Sequence, residues 1–504
     1  MQDVAATDAR QEQAAARQEQ VRRLREEYPV FRVEDARAAR GPSAVTLEFA
    51  LSAGRMRFRP VVELSGLRPD EAARVDSPAA RRLVRALAIV ESFSYWKAFC
   101  SPVIEVAPPA PAEAELAWWR SFWPGAMGEF FYRNGIDFTA PGFLDIRAAR
   151  PAERACAAGR ADPGRRAGEP PREAAGPGDE PARETGEAVP PLVLFSGGKD
   201  SLALTLAIRD GGASPADFLL YNPVPGQRAL AGSLAAGGRM LVLRREILPE
   251  LLALNEAGHP NGHTPFSAYL AIAAMLAGYL RGSRLAVAGN SRSDDEPNVE
   301  SYLGRPVNHQ WTKSYEFEAA LRDYRDRWLP GAPVYSSPLR PVFELQIIAS
   351  LAGDVDAYLR TASCNRTRGD GWCLSCAKCA WVFLATSALF GHETAIRKTG
   401  GDVFANPGLA GLFARMAGLG GPKPFECTGT QDEVRAAIRA VGEGRDPAGL
   451  PALTACLRSP AVTTARPLSA LLADWGRDDL VPPELAGRIR RAVARGAAAR
   501  LAAR

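Results

Sequence analysis

No apolar run in this sequence is long enough to cross a membrane. The longest, AYLAIAAMLAGYL at residues 268–280, falls well short of the about 20 apolar residues that a bilayer-spanning helix needs. The first 28 residues are rich in Gln, Arg and Glu, and they lack the apolar core and small-residue cleavage site of a secretory signal peptide. We therefore expect a cytoplasmic protein that has no membrane partner.

An excess of charge of either sign is also missing. The 62 lysines and arginines stand against 57 aspartates and glutamates, which leaves a net charge of +5. Since nucleic-acid-binding proteins concentrate basic residues on their surface, this near balance gives no strong case for a nucleic-acid partner. Hydrophobic residues make up 46% of the chain, as is typical of a globular protein, and 504 residues favour more than one domain.

Large apolar side chains are absent from one segment in the middle of the chain. Residues 151–190 contain no Leu, Ile, Phe, Tyr or Trp, and more than half of them are Pro, Gly or Ala. Such a segment cannot bury enough surface to offset the entropy lost on ordering. We predict a disordered linker over residues 149–190, which separates an N-terminal domain, residues 1–148, from the rest of the chain.

The N-terminal domain is predicted to be α+β. Residues 1–28 suit a charged, solvated helix, 44–51 and 55–64 have the character of paired strands, and 79–99 have helical periodicity. Aromatic residues are dense between 115 and 138, and we expect them to form a core rather than to contact a ligand.

From residue 191 the pattern alternates between strand and helix. Short apolar strands are predicted at 191–195, 216–222, 239–245 and 283–290, and helices at 201–210 and 264–280. Repeated strand–helix units are typical of an α/β domain, in which helices cover a parallel sheet and ligands bind at the carboxyl ends of its strands. We assign this domain to residues 191–430 and a helical C-terminal extension to residues 431–504, whose basic end we expect to be a solvated helix face.

A polar, glycine-rich loop interrupts the first strand–helix unit of this domain. It consists of Ser196, Gly197, Gly198, Lys199, Asp200 and Ser201. Glycines between a strand and a helix let backbone N–H groups approach an anion, and the helix N-terminus adds partial positive charge. The loop is not a Walker A sequence, because G-x4-G-K-[ST] is absent here. It resembles the SGGxDS signature of the PP-loop ATP pyrophosphatases, a resemblance that implies ATP, Mg²⁺ and adenylation of a carboxylate.

Four of the eight cysteines are crowded together. Cys364, Cys373, Cys376 and Cys379 form the pattern C-x8-C-x2-C-x2-C. Four thiolates at such spacings favour a small insert holding a structural Zn²⁺, with an iron–sulfur cluster as the less favoured alternative. The scattered cysteines, namely Cys100, Cys156, Cys427 and Cys456, are expected to be inert.

Histidine is scarce, and three of the four histidines lie in polar segments. His259 and His263 precede the helix at 264–280, and His309 is followed by Lys313 and Glu316. Each of these histidines could contact a substrate, or it could make an ordinary hydrogen bond at a helix cap or in the core. His392 stands alone and is expected to be structural.

A second polar segment follows the strand at 283–290. Asn290, Ser291 and Arg292 come where that strand ends, and they are therefore predicted to meet a ligand. The acidic run at 294–296 is expected to be a solvated loop.

The order of these segments resembles the MurL family, whose members are UDP-N-acetylmuramoyl-L-alanyl-L-glutamate epimerases of peptidoglycan synthesis. The resemblance rests on residues 261–275, 288–298, 307–318, 363–385 and 421–427, and in the N-terminal domain on 94–99 and 128–138. It covers roughly residues 30 to 430, interrupted by the linker.

That resemblance implies an ATP- and Mg²⁺-dependent inversion of the terminal L-Glu of UDP-MurNAc-L-Ala-L-Glu, with release of AMP and pyrophosphate. It also implies a functional partnership with the ligase that adds L-Glu to UDP-MurNAc-L-Ala. Inversion needs an acid/base pair, for which His263, His309 and Lys313 are the candidates, with Cys427 behind them. The large substrate is expected to bind between the two domains.

Three other functions stay open at this point. A 7-cyano-7-deazaguanine synthase-like enzyme would share the SGGxDS loop and a four-cysteine site, but such chains are much shorter. A tRNA-thiolating PP-loop enzyme would need a strongly basic surface. A nucleotide-binding regulator without catalysis could be separated from an enzyme only by assaying ATP turnover.

Overall fold

A computed structural model describes residues 2–149, 189–209, 216–235, 237–367 and 371–502. The predicted linker lies outside the described residues except at its two ends, and so does Cys156. Within these ranges no helix combines the length and the apolar character needed to span a lipid bilayer.

The N-terminal part contains a mixture of strands and helices. Its elements are α1 (Gln2–Glu27), β1 (Val30–Arg40), β2 (Ala44–Ala53), β3 (Met56–Phe58), β4 (Val61–Ser65), α2 (Pro69–Ala73), α3 (Pro78–Trp96), β5 (Val103–Val106), α4 (Glu113–Ala126), α5 (Gly128–Asn134) and β6 (Asp145–Ala148). The helix expected over 79–99 is α3, and its N-terminus is set by Ser77, whose Oγ accepts a hydrogen bond from the Ala80 amide at 3.1 Å.

The elements from residue 189 onward begin with strands and helices in alternation and end in helices alone. They are β7 (Leu192–Leu194), α6 (Lys199–Arg209), β8 (Asp217–Tyr221), α7 (Pro225–Leu234), β9 (Met240–Arg245), α8 (Pro249–Glu256), α9 (Phe266–Arg281), β10 (Leu285–Val287), β11 (Val299–Tyr302), β12 (Arg305–Val307), α10 (Tyr315–Trp328), β13 (Val334–Ser336), α11 (Glu344–Ser350), α12 (Val355–Arg360), α13 (Ala377–Phe390), α14 (His392–Thr399), α15 (Ala410–Met416), α16 (Gln431–Gly442), α17 (Thr454–Leu457), α18 (Pro460–Thr463), α19 (Leu468–Leu472) and α20 (Pro483–Ala502).

One large sheet runs through both parts of the chain. Its strand order is β13-β10-β7-β8-β9-β4-β2-β1-β5-β6, with β3 paired to β2. The five strands from β13 to β9 are parallel, as the sequence predicts for an α/β domain, and β1, β5 and β6 are parallel as well. β4 joins the two halves, because it pairs antiparallel with both β2 and β9. The protein is therefore a mixed α/β structure with a mostly parallel sheet.

The two faces of the sheet carry two separate hydrophobic cores. Leu192 and Leu219 face the core formed with α3 and α9, whereas their neighbours Val193 and Phe218 face the core formed with α11, α13 and α16. This alternation follows from the period of two along a strand. The first core also takes in the aromatic residues of α4 and α5, so the prediction that these form a core is confirmed.

The expected separation of an N-terminal domain at residue 148 stays a prediction, and several contacts cross that boundary. Leu64 of β4 pairs in register with Leu243 of β9. Beneath this pairing, Arg245 Nε donates to Glu91 Oε1 of α3 at 2.9 Å, and both side chains are buried. The two parts are thus fixed to each other by a ladder of backbone hydrogen bonds and a buried ion pair.

The C-terminal extension is helical, as predicted, but its last helix is not simply a solvated one. Ile489 and Val493 of α20 are buried in the second core. Gly496 lies so close to α11 that an added Cβ would fall 2.4 Å from the carbonyl oxygen of Ala349. The basic side chains therefore occupy one face of a helix whose other face packs against the sheet domain.

Candidate active site

A cavity of about 780 Å³ opens where the carboxyl ends of β7, β8 and β10 meet. Chemistry-bearing residues from widely separated parts of the sequence line this cavity: Ser196, Gly197, Gly198, Asp200, Ser201, His263, Asn290, His309, Lys313, Arg360, Cys364, Lys378 and Cys427. It lies where a parallel sheet is expected to bind its ligand.

The loop predicted to hold a phosphate group has the geometry of an anion site. Gly197 has a φ of +73°, and a Cβ there would lie 2.8 Å from Gln227 Cγ, so the position is suited to glycine. Gln227 also fixes the loop, since its Nε2 donates to the Ser196 carbonyl at 2.9 Å. The loop then enters α6, whose N-terminus faces the cavity.

Lys199 differs from the other five loop residues, because its side chain does not line the cavity. Its ammonium is buried, 2.7 Å from Asp200 Oδ1 and 2.9 Å from Glu344 Oε2. Burial alone would lower the pKa of Lys199, but the two carboxylates outweigh it and raise that pKa. The side chain of Lys199 is thus placed to anchor the loop to α11, whereas the Asp200 carboxylate remains about a third exposed on the cavity side.

Two of the predicted catalytic histidines, His263 and His309, meet at one buried carboxylate. Their rings lie 4.7 Å apart, centroid to centroid. Glu129 of α5 is hydrogen-bonded through Oε2 to His309 Nδ1, and the same oxygen is 3.4 Å from His263 Nδ1. The ligand atoms of Glu129, His263 and His309 lie within 4.8 Å of one another, so this trio could exchange protons or hold a metal ion.

A second pair of polar side chains lies in the same cavity as His309. Lys313 Nζ lies 3.2 Å from Cys427 Sγ. The Glu129–His309 pair and the Lys313–Cys427 pair therefore meet at one cavity. The sequence favoured an inert Cys427 and kept it only as a reserve candidate for proton transfer, and the nearby cations are those expected around a reactive thiol.

The pKa values of these groups are pushed apart by their contacts. Burial and the neighbouring His309 lower the pKa of His263 to about 4. Burial also acts to lower the pKa of His309, but hydrogen bonds with Cys427 and Glu129 outweigh it and raise that pKa to about 9. Burial would raise the pKa of Cys427, yet Lys313, Lys378 and His309 hold it well below its ordinary value. These contacts therefore favour a neutral His263, a protonated His309 and the thiolate form of Cys427.

Of the three residues predicted to meet a ligand at the end of β10, only Asn290 lines the cavity. Asn290 lines it and donates to Tyr335 Oη and Ser337 Oγ, both at 3.0 Å. Ser291 is buried, and the guanidinium of Arg292 stacks on Phe343, so neither lines the cavity.

The acidic run at 294–296 is not the solvated loop that the sequence suggested. Asp294 is buried and accepts a hydrogen bond from the Ser291 amide at 2.7 Å. Burial raises the pKa of Asp294 to about 6. Glu296 binds Lys423 at 2.9 Å. These carboxylates fold the segment onto itself, which leaves Asn290 at the cavity wall.

The remaining polar candidates lie outside the cavity. His259 contacts the Ala98 carbonyl at 2.8 Å and packs on Phe99, so it acts as a core hydrogen-bonding residue. Glu316 accepts a hydrogen bond from Trp311 Nε1 at 3.0 Å. His392 pairs with Asp402 at 3.0 Å among aromatic rings, as expected of a structural residue.

The four clustered cysteines converge on one point. Their sulfur atoms all lie within 4.8 Å of one another, with 3.4 Å between Cys376 and Cys379 and 3.7 Å between Cys373 and Cys379. Four thiolates around a zinc ion at about 2.3 Å would be about 3.8 Å apart, so the donor set fits a tetrahedral Zn²⁺. Cys364 also borders the cavity, which places this cluster beside the active site.

Sequence reasoning missed Glu129 and Lys378. Glu129 lies among aromatic residues whose density indicated only a core, and its partners are far away in sequence. Lys378 lies between Cys376 and Cys379, in a segment whose cysteine spacing indicates only a metal site, yet it lines the cavity. A charged residue within an apolar or metal-binding segment is the signal that could have identified both.

Comparison with known proteins identifies the family. The model of the MurL N-terminal domain matches residues 22–337, and that of the MurL C-terminal domain matches residues 360–468. The chain is 31% identical to the UDP-N-acetyl-alpha-D-muramoyl-L-alanyl-L-glutamate epimerase of Salinispora tropica over 370 residues, which are 72% of this chain and 73% of the relative. Proteins of the same name from Micromonospora sp. and Xanthomonas oryzae pv. oryzae are 31% and 30% identical over 77% and 72% of the chain, and 81% and 75% of their own lengths. The chain belongs to the MurL family of epimerases.

Proposed function

We propose that this protein inverts the terminal L-Glu of UDP-MurNAc-L-Ala-L-Glu to D-Glu, by way of an acyl-adenylate formed from ATP. One observation carries the proposal: a single cavity holds both an anion-binding loop and a cluster of proton-transfer groups. The family membership and the names of the relatives support the substrate.

In the adenylation step, the loop at 196–201 acts as a PP-loop and holds the leaving pyrophosphate. Backbone amides of Gly197 and Gly198, the hydroxyls of Ser196 and Ser201 and the α6 N-terminus stabilise the charge that develops on it. The Asp200 carboxylate is placed to hold Mg²⁺, which would neutralise the phosphates. The substrate carboxylate attacks the α-phosphate, and pyrophosphate departs.

Adenylation makes the inversion easier because it removes the negative charge of the substrate carboxylate. An α-proton beside an ionised carboxylate is very hard to abstract, since the carbanion would lie next to a negative charge. In the mixed anhydride the same proton is far more acidic, and donors in the cavity can stabilise the enolate. Hydrolysis of the adenylate then releases AMP.

Inversion requires a group that accepts a proton and a group that returns one. The neutral His263 and the Cys427 thiolate are the acceptors in the cavity, and the His309 imidazolium and the Lys313 ammonium are the donors. The Glu129 carboxylate holds His309 in place by its hydrogen bond to Nδ1.

The four-cysteine cluster is proposed to be a structural zinc site. When bound there, Zn²⁺ would supply a rigid link between Cys364 and the start of α13, and so hold Lys378 at the cavity. We further propose that the enzyme works in the cytoplasm, next to the ligase that adds L-Glu to the precursor.

The proposal is tested by incubating the purified protein with UDP-MurNAc-L-Ala-L-Glu, ATP and Mg²⁺ in deuterated water. Glutamate chirality, AMP and deuterium at Cα are followed together. We expect D-Glu with deuterium at Cα and formation of AMP. AMP without inversion would point to another carboxylate substrate, and its complete absence would contradict the adenylation step.

Two aspartate variants, one in the loop at 196–201 and one outside the cavity, test whether AMP formation depends on the loop. Asp200→Ala should abolish AMP formation, because the carboxylate lost is the one that faces the phosphates. Asp326→Ala removes an exposed aspartate whose partner is Arg325, and it should leave AMP formation unchanged. Unchanged AMP production by Asp200→Ala would refute the role of the loop.

A further inference from the structure

Cys427 lies in a constellation that is typical of nucleophilic cysteines. A carboxylate, Glu129, orients an imidazole, His309, which lines the same cavity as the Cys427 thiol and acts to lower the pKa of that thiol. Nucleophile, base and orienting group in this order are the general pattern of covalent catalysis. Sγ lines the cavity that holds the anion-binding loop, so an activated acyl group and the thiol would share one space.

Two lysines add to this constellation. Lys313 Nζ is 3.2 Å from Sγ, and the charge of Lys378 also acts on the thiol. The surrounding cations favour the thiolate, which is the nucleophilic form of cysteine.

We propose that Cys427 is a nucleophile, which takes the glutamyl group from the acyl-adenylate and carries it as a thioester during inversion. This inference rests on the proposed function. The inference goes beyond the proposed function because it adds a covalent intermediate on the enzyme.

The step balances as an acyl transfer. The thiolate sulfur attacks the acyl carbon, a C–S bond forms, and the bond from that carbon to the phosphate oxygen breaks. AMP leaves with the electron pair, and the Lys313 ammonium lies next to the sulfur, where it can stabilise the charge on the acyl oxygen. After inversion, water attacks the thioester carbon and the C–S bond breaks with its electron pair on sulfur. The glutamate carboxylate is released, the thiolate is restored, and the two protons of water pass to solvent. No oxidant or reductant is required.

A thioester would also suit the proton-transfer groups. The α-proton of the thioester stays acidic after AMP has departed. Inversion can therefore take place when the nucleotide no longer occupies the cavity. His263 is the base that remains available, because it is neutral and does not contact the thiol through any of the described hydrogen bonds. Its ring lies 4.7 Å from His309, next to the place where the acyl group would be attached.

The test uses the full-length protein with ATP, Mg²⁺ and UDP-MurNAc-L-Ala-L-Glu, quenched in acid within one turnover. Intact-mass measurement should find a fraction of the chain carrying the substrate acyl group, and peptide mapping should place it on Cys427. Neutral hydroxylamine should release it as a hydroxamate. Cys427→Ala should lose the adduct and at least about 100-fold of the rate of deuterium incorporation at Cα.

Exchange of labelled pyrophosphate into ATP separates this inference from the proposed function. Cys427→Ala should retain the exchange, because adenylation precedes the thiol step, and Cys456→Ala should retain both exchange and inversion. Absence of exchange in the unaltered protein would overturn the adenylation itself. If the unaltered protein shows exchange and inversion but no trapped adduct, the role of Cys427 as a nucleophile is rejected and adenylation stands. This holds even if Cys427→Ala loses deuterium incorporation, because the thiolate would then act as a base.

Discussion

The Lys199 ammonium lies 2.9 Å from the Glu344 carboxylate, and both side chains are almost completely buried. This ion pair joins Lys199, which belongs to the loop at 196–201 and to the first turn of α6, to the start of α11. The Trp381 indole also donates to Glu344, so the carboxylate is held from two directions. The position of the loop at 196–201 therefore depends on the Lys199–Glu344 ion pair, which lies outside the cavity.

Replacing Glu344 should destabilise the protein strongly. In Glu344→Gln the buried Lys199 loses one of its two carboxylates, and breaking a buried pair costs about 3–5 kcal/mol. Urea unfolding near neutral pH measures this loss. The double variant Lys199→Met with Glu344→Leu removes both charges and should recover much of it. A change below about 1 kcal/mol in Glu344→Gln would contradict the role of the pair.

The same pair predicts acid sensitivity. Burial would raise the pKa of Glu344, but Lys199 and Lys378 lower it to about 2. A carboxyl group whose pKa is lower in the folded state stabilises the protein above its ordinary pKa of about 4.5, and this stabilisation is lost as the pH falls towards 2. The unfolding free energy of the unaltered protein should therefore fall in that window, and that of the double variant should fall less.

Gly197→Ala should impair ATP turnover without unfolding the protein. The methyl group would meet Gln227 Cγ at 2.8 Å, and the φ of +73° is strained for alanine, so the loop must shift. We expect AMP formation to fall at least about tenfold. Gly304→Ala is the matched control, because Gly304 has a φ of +80° but open space around it. Equal AMP formation in the two variants would show that loop geometry does not matter.

Much of this site could be predicted from the sequence because its signals are local. The loop at 196–201, the cysteine spacing and the polar segments around His263 and His309 are each defined within a few residues. The α/β pattern then required the loop and Asn290 to share one edge of the sheet. Local periodicity also predicted the helix α3 and the paired strands β2 and β4.

What could not be predicted depends on contacts between distant residues. Nothing near β4 or β9 indicates that the two strands pair and make one sheet of both parts of the chain. Glu129 acquires its role only when α5 packs against His309, which is 180 positions later. The sequence around Cys427 gives no sign of a shifted pKa, because the groups that lower it, Lys313, Lys378 and His309, lie far from it along the chain. The match of one family model across residues 22–337 agrees with the continuous sheet.

Activity should depend on pH through the two histidines. His309, whose pKa is raised to about 9, must be protonated to donate, so the rate should fall as the pH rises through that value. Glu129→Gln removes the negative charge at Nδ1 and should shift this alkaline limb to lower pH. Initial rates of deuterium incorporation between pH 3 and 10 measure this alkaline limb and the acid limb expected near pH 4, where the base His263 becomes protonated. An unmoved limb in Glu129→Gln would exclude Glu129 as the group that holds the proton on His309.

Removal of the proposed zinc should loosen the cavity wall as well as the metal site. Cys376→Ser deletes a buried thiolate, so we expect about one Zn²⁺ per chain in the unaltered protein and none in the variant, with a lower melting temperature. Because Lys378 follows two residues later and lines the cavity, AMP formation should fall in parallel. Cys456→Ser changes a buried cysteine outside the cluster, and it should keep both zinc and AMP formation. Full zinc occupancy in Cys376→Ser would exclude this residue as a ligand, and full activity after chelation would show that Lys378 needs no metal to stay in place.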